Sequence, residues 1–421
     1  MARPRIFSVE YNETGEEMMD EEKRGSSWRN RTVLGFSLAS LLSDASHEMA
    51  TAVLPLYLQS LGLGASVLGI IEGIADVGAS LAKWISGIAG QRLRAKKGIT
   101  AWCYGLTTAC VGAFAFAVTA PPFIVLRTVA WLGRGFRGPL RDSMMASAVE
   151  PRDYGKAFGL ERAGDMAGAV IGPLLAAIFV GVAFTLPQIF LITLIPGLGA
   201  VAAVAFLVKE RRKSRDEMAE VAARPPLPGR FWAFLAVVML FGMGDFSRTF
   251  LILEGSRRLP PHAGAALLAV PVLLYVLHNA VSGLMTFPSG LLADRWSYGK
   301  TLAVGYGLGF IFNVGLAFLP GGLWWLVPLF LISGTYIAVE ETVEKASAAR
   351  MIPERARSYA LGMLATANAA GDLFSSAATG FLLDRFGREA AYGVAAIFTG
   401  AGFVALLAFV RAVRLEEEHK P

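Results

Sequence analysis

Ser289–Gly307, SGLLADRWSYGKTLAVGYG, is a short charged turn set between two apolar runs. The pattern occurs twice. Ser86–Gly105, SGIAGQRLRAKKGITAWCYG, has the same Ser-Gly opening, an x-Arg turn and a Tyr-Gly pair in the run that follows. Gly87 and Gly290 are 290 − 87 = 203 residues apart, and Arg92 and Arg295 are separated by the same 295 − 92 = 203. In a chain of 421 residues, an offset near half the length points to one unit repeated end to end. The copies differ at the turn itself, where the second carries Asp294 and the first has Gln91.

The runs on either side of these turns define the class of protein. The chain is 54% hydrophobic and 17% charged, with a mean hydropathy of +0.52, and its apolar runs reach the roughly 20 residues that a spanning helix needs. That excludes an ordinary soluble domain. The pI near 9.3 does not indicate nucleic acid, because Lys and Arg lie in short turns between apolar runs and form no basic stripe along the chain. Cys103 and Cys110 are seven residues apart on one predicted helix, about 10 Å along its axis, too far for a disulfide.

Residues 1–31 are polar and lack an apolar core, so they read as a cytoplasmic tail with no leader peptide. Asn12-Glu13-Thr14 matches a glycosylation sequon and is read as chance. Six apolar segments follow, at about 32–60, 67–90, 98–119, 123–148, 157–181 and 187–208. Residues 209–230, KERRKSRDEMAEVAARPPLPGR, form a charged, Pro-rich linker. Six more segments occupy about 231–253, 264–292, 300–320, 323–347, 357–382 and 389–410, leaving 411–421 as a second tail. The expected fold is therefore an all-α integral membrane protein, twelve transmembrane helices in two pseudo-symmetric six-helix bundles, 32–208 and 231–410. The Lys and Arg of the linker and of the turns at 92–97, 295–300 and 350–357 fall on one side, which predicts that both termini are cytoplasmic.

Ionisable residues inside the spans are the candidates for function, since each costs roughly 2.5–3.5 kcal/mol at mid-bilayer on insertion scales. The first helix carries Asp44, His47 and Glu48, at i, i+3 and i+4 and so on one face. Asp245, Ser247 and Arg248 repeat its Asp-x-Ser pattern at 245 − 44 = 201 in the seventh. The second helix adds Glu72 and Asp76, with Lys83 further on; at the 203 offset the two acids map to Tyr275 and Asn279, beside His278. The alternative reading is that such clusters only lock helices together, and that His278 is a hydrogen-bonded core residue.

The fourth helix has Arg127 and then Arg134, Arg137 and Arg141 at i, i+3 and i+7, followed by Asp142. At the 203 offset Arg137 maps to Glu340, Arg141 to Glu344 and Asp142 to Lys345, with Glu341 in the same run. The two halves are thus charge-inverted at equivalent positions. The inversion suggests a gate in which the two stripes pair across the halves, against the alternative that each snorkels or pairs within its own half. In the fifth helix Gly164, Gly168 and Gly172, followed by Pro173, provide small residues every four positions for close helix packing.

The turn Gly290-Leu-Leu-Ala-Asp294-Arg295, with Gly299-Lys300, resembles the loop signature of the major facilitator superfamily, and the resemblance covers about residues 30–412. Within the superfamily the chain is most similar to prokaryotic drug-exporter-like members of unassigned substrate. The fifth-helix run is similar to the superfamily's antiporter motif, with Ala176-Ala177 at its closing Gly-Gly. Arg127 resembles the arginine found near the outer end of the fourth helix.

The resemblance implies alternating access around a midplane site, with the fourth and tenth helices as symmetry mates on the central cavity. It also implies a monomer in a prokaryotic inner membrane, in contact with lipid, protons and a small-molecule or ion substrate. No nucleotide, zinc or hydrolase motif is present, so neither a cofactor nor an enzymatic activity is expected. The leading expectation is a proton-coupled antiporter exporting a small organic solute, with protonation of Asp44 or Glu48 as the coupling step and His47 as relay. The alternatives are a transition-metal transporter resembling the ferroportin branch, using Asp44, His47 and Glu48, and a receptor that no longer transports.

Overall fold

A computed structural model describes residues 29–89, 93, 95–150, 153–210, 227–260, 263–320, 322–352 and 357–418. Gln91, Arg92, most of the linker, most of the first predicted tail and residues 419–421 of the second lie outside the described residues.

In the first half, helices α1 (Arg31–Ser60), α2 (Ala65–Ala89), α3 (Lys96–Ala113), α4 (Ala120–Ala148) and α5 (Tyr154–Gly181) precede the pair α6 (Leu186–Ile192) and α7 (Leu194–Leu207). In the second half α8 (Gly229–Gly242) and α9 (Thr249–Arg257) precede α10 (Ala265–Arg295), α11 (Tyr298–Phe318), α12 (Leu326–Met351), α13 (Arg357–Arg385) and α14 (Arg388–Glu418). With α6/α7 and α8/α9 each counted as one span, the chain crosses twelve times. It does so as two six-helix bundles.

The ends of these helices follow from local chemistry. The Asn30 side chain accepts the backbone N–H groups of Thr32 and Val33 and starts α1. At its far end Gly62, with φ +72, lets Gly62 N–H and Leu63 N–H return to the carbonyls of Gln59 and Leu58. Pro at the first turn of α4 and of α6 sits where an N–H has no intrahelical partner.

Eight described helices are long and apolar enough to cross a membrane on length and hydropathy alone. Those falling short are α1, α4, the broken α8/α9 and α13, which carry Asp44 and Glu48, the arginine stripe, Asp245 and Arg248, and Asp372. Their polarity is tolerated because those side chains face protein and an internal cavity instead of lipid.

The seventh span departs from the continuous helix expected over 231–253. Residues 243–248 leave helical geometry between α8 and α9. Backbone polar groups freed inside a membrane need partners, and they find them. Asn313 Nδ2 reaches the Gly244 carbonyl at 3.3 Å, and Ser247 N–H donates to Ser376 Oγ at 3.0 Å. A Cβ on Gly244 would collide with the Ala395 carbonyl, so only glycine allows the unwound segment to lie against α14.

Within the first half α1 packs on α5. Cβ atoms at Gly164, Gly168 and Gly172 would strike the carbonyls of Ser37, Leu41 and Ala45, one contact per turn along both helices. α5 continues through Pro173. The halves meet along two seams, α2 against α13 and α5 against α10, with α9 against α1.

Candidate functional site

In the first half a chain of buried polar contacts runs from α1 through α2 to α4. Arg127, 1% exposed, places Nη2 2.9 Å from both carboxylate oxygens of Glu72 and Nη1 3.0 Å from Thr51 Oγ1. Its guanidinium lies 3.6 Å above the Trp131 ring, and Trp131 Nε1–H donates to Asp76 at 3.0 Å. One turn further along α4, Arg134 donates to Asp44 at 2.8 and 3.2 Å and to His47 Nδ1 at 2.8 Å. Because a guanidinium only donates, His47 Nδ1 must be an acceptor. Its proton is therefore on Nε2, which lies 3.2 Å from Glu48 Oε1. Glu48 Oε2 in turn accepts Tyr275 Oη–H at 3.0 Å, a bond that crosses between the halves.

The second half answers with a different set. Arg248 grips Asp245 with two N–H groups at 2.8 and 3.1 Å, and Tyr336 Oη–H donates to Asp245 at 2.9 Å. Glu344 accepts Tyr306 Oη–H at 2.5 Å and Asn368 Nδ2–H at 3.0 Å. His278 is buried and stacked on Tyr275, ring centres 5.9 Å apart, and its Nδ1 has no partner among the described residues.

All ten pathway residues named from the sequence, from Asp44 to Asn279, line a single cavity of about 470 Å³ between the halves. A vestibule of about 330 Å³ adjoins it and shares Asp76, Lys83, Trp131, Arg134 and Asp372. Exposed Lys83, Glu341 and Lys345 mark the side facing the end of the bundle where α2 ends and α3 begins. Toward the opposite end the halves are tightly joined. Cβ atoms on Gly69 and Gly380 would collide with the carbonyls of Ser376 and Ala65, and Asn279 Nδ2–H donates to the Ala169 carbonyl at 2.7 Å.

The gate residues are placed differently from the cross-half pairing that the charge inversion suggests. Arg137 donates to Ser43 Oγ at 2.7 Å and lies 3.9 Å above the Tyr104 ring. Arg141 binds Glu161, Ser40 and Asp142. In this structure the stripe finds its partners within its own half, because α1 and α5 present Asp44, Ser43, Ser40 and Glu161 closer than α12 presents its acids, and Arg137 Nη1 is left without a hydrogen-bond partner among the described residues. Arg134, Glu340, Glu341, Glu344 and Lys345 do line the vestibule, whereas Arg137, Arg141 and Asp142 do not. Among the described residues, opposite charges meet across the halves at Arg162 and Glu341, 3.8 Å apart.

Asp294, of the loop-signature turn, accepts the Tyr298 hydroxyl from its own turn. The metal alternative meets an obstacle at Arg134, whose Nη1 lies 2.8 Å from both Asp44 Oδ1 and His47 Nδ1, where an ion bound by those two atoms would sit. Gly87 and Gly290 have no close neighbour that a Cβ would strike.

Sequence reasoning missed Asp384. At the opposite end its carboxylate accepts Ala65 N–H at 2.9 Å, Ser66 N–H at 2.7 Å and Ser66 Oγ–H at 2.7 Å, so α13 of the second half caps the first turn of α2. Arg257 Nη2 adds a contact at 3.1 Å. A signal was available: Gly380-Phe-Leu-Leu-Asp384-Arg385 repeats Gly290-Leu-Leu-Ala-Asp294-Arg295 at 384 − 294 = 90, on the other side of the bundle. Asp372, Glu161, Tyr336 and Trp131 were also missed, and for these no spacing rule would have singled them out.

The family model for the Major Facilitator Superfamily matches residues 36–340 and 262–421. An uncharacterised MFS-type transporter of Methanocaldococcus jannaschii is 26% identical over 365 residues, covering 84% of this chain and 88% of that protein. An uncharacterised protein of Mycobacterium tuberculosis is 30% identical over 375 residues, 85% of this chain and 88% of its own length. Among solved structures, the nucleoside transporter NupG superposes with a TM-score of 0.72 at 15% identity, covering 90% of this chain and 98% of that one. A D-xylose-proton symporter superposes at 0.68 and 14%, covering 90% and 96%. At such identity these likenesses concern the fold.

Proposed function

The chain belongs to the major facilitator superfamily, and from that premise we propose that it is a proton-coupled antiporter exporting a small polar organic solute by alternating access. The observation that carries this reading is the central cavity, whose walls come from both halves and whose lining is dominated by ionisable side chains. A hydrophobic drug would leave those groups desolvated and unpaired; a polar solute with charges of its own would not. The halves are joined at the opposite end, so rocking about the cavity would open that end and close the vestibule. Closure would bring the arginine stripe toward Glu340 and Glu344, with Arg134, already on the vestibule wall, the first to change partner. In this reading both termini face the cytoplasm, in the inner membrane of a prokaryote, and the working unit is a monomer.

Support for proton coupling comes from Glu48. As a carboxylate it accepts from Tyr275 in the other half and lies 3.2 Å from His47 Nε2 in its own. A proton on Glu48 removes acceptor capacity and weakens the contact that ties the halves together, so protonation and rocking are linked through one bond. Asp44→Asn with Glu48→Gln is expected to abolish gradient-driven flux in proteoliposomes while solute exchange without a gradient persists. Gradient-driven flux at the wild-type rate in that double variant would overturn the coupling assignment.

A further inference from the structure

Glu340 is 7% exposed, its Oε2 has no hydrogen-bond partner among the described residues, and it lines the vestibule between the halves. A carboxylate buried in that way calls for a cation or a set of donors. Its neighbours offer no uncommitted cation. Glu344, one turn away on the same face of α12, is held by the neutral donors Tyr306 and Asn368. Arg248 is engaged by Asp245. Lys345 follows Glu344 directly and so points about 100° around the helix, on the face of Glu341 four residues before it.

α12 and α13 run antiparallel, and the Asn368–Glu344 hydrogen bond fixes their register. One turn from that bond, toward the opposite end, α12 presents Glu340 and α13 presents Asp372, at the same height. Asp372 lines both the vestibule and the central cavity and makes no hydrogen bond or ion pair to the described residues. Across the vestibule stands exposed Lys83 of the first half, without an ion-pair partner among the described residues.

We propose that Glu340 and Asp372 form the seat for a cationic group on the solute, an ammonium or amidinium head on a compact polar molecule, and that Lys83 receives its anionic or dipolar end. The proposal rests on the transporter reading and names its substrate class. Two carboxylates on neighbouring helices, neither of them in an ion pair among the described residues, suit a head with several N–H groups. A bare metal ion fits less well, since no group of three or more metal-ligating side chains converges among the described residues.

The test is calorimetric titration of the purified full chain in detergent with butylammonium, 4-aminobutyrate and butyrate. Butylammonium and 4-aminobutyrate are expected to bind and butyrate is not. Glu340→Gln should weaken both amines about tenfold or more, and Asp372→Asn, at a less buried position, should do so in a protein of unchanged thermal stability. Lys83→Ala should weaken 4-aminobutyrate and leave butylammonium unaffected. No binding by either amine, equal binding in the carboxylate variants, or a preference for butyrate would overturn the assignment. Binding is read without a membrane or a gradient, so this result stands apart from the flux assay that tests transport.

Discussion

The two halves are one backbone plan with opposite electrostatics. In the first, Tyr104 offers its ring face to the Arg137 guanidinium, and its hydroxyl has no partner among the described residues. In the second, Tyr306 stacks its ring on Phe241, with centres 3.7 Å apart, and gives its hydroxyl to Glu344. The same residue type serves a cation in one copy and an anion in the other. The first half also holds a buried Arg127–Glu72 pair, whose mates at the 203 offset are Phe330 and Tyr275, an apolar ring and a neutral phenol. Arg134, which organises Asp44 and His47, corresponds to Ile337, since 337 − 134 = 203. Asp245 therefore draws its arginine from its own unwound segment. Glu72, Asp44 and Glu161 each face an arginine of the first half, while in the second Asp245 takes Arg248, Glu344 is left with neutral donors, and Glu340 and Asp372 make no ion pair among the described residues. That division suits a first half that acts as a fixed frame and a second half that receives a ligand.

Removing Arg127 should break this comparison most severely. Arg127→Met strands Glu72, 2% exposed, and breaking such a buried pair costs about 3–5 kcal/mol. Thermal unfolding in detergent should show a large loss that Glu72→Leu in the same chain largely restores, because the double variant approaches the apolar solution of the second half. A smaller effect is expected at the opposite end. Asp384→Ala deletes a charged acceptor whose hydrogen bonds are worth about 1.5–3 kcal/mol, enough to shift the populations of two facing states by about tenfold or more. Spin labels at Gln59 and Leu259 should report a longer distance in the variant, and an unchanged distance would mean that the cap does not hold that end closed.

The smallest effect separates the halves most sharply. Glu344→Gln keeps one acceptor oxygen and turns the other position into an N–H donor that the Tyr306 hydroxyl or a flipped Asn368 amide can accept, and should change stability by less than about 1 kcal/mol. Arg141→Gln removes the cation beside Glu161, which retains only Ser40, and should cost about 2–3 kcal/mol. Equal losses in the two variants, measured side by side by denaturation, would remove the asymmetry.

The sequence by itself determined the number of the spans and their approximate bounds, the duplication, the inversion of charge and ten of the side chains that meet at the cavity. Apolar length, basic turns and i, i+3, i+4 spacing are local properties, and each is written in consecutive residues. Spacing places Arg134, Arg137 and Arg141 on one face of α4, but it does not say which neighbour that face meets. That depends on helix rotation and register, set by contacts such as Gly164, Gly168 and Gly172 against α1. The arginines consequently found partners in α1 and α5 where charge complementarity alone had pointed to α12. The break at 243–248 was hidden for a related reason, since hydropathy continues across it and the partners that make it tolerable, Asn313 and Ser376, lie 69 and 129 residues away from the groups they hold. Only the tertiary structure brings those donors and acceptors to the freed backbone, and only it leaves Glu340 and Asp372 level with each other and with no ion pair among the described residues.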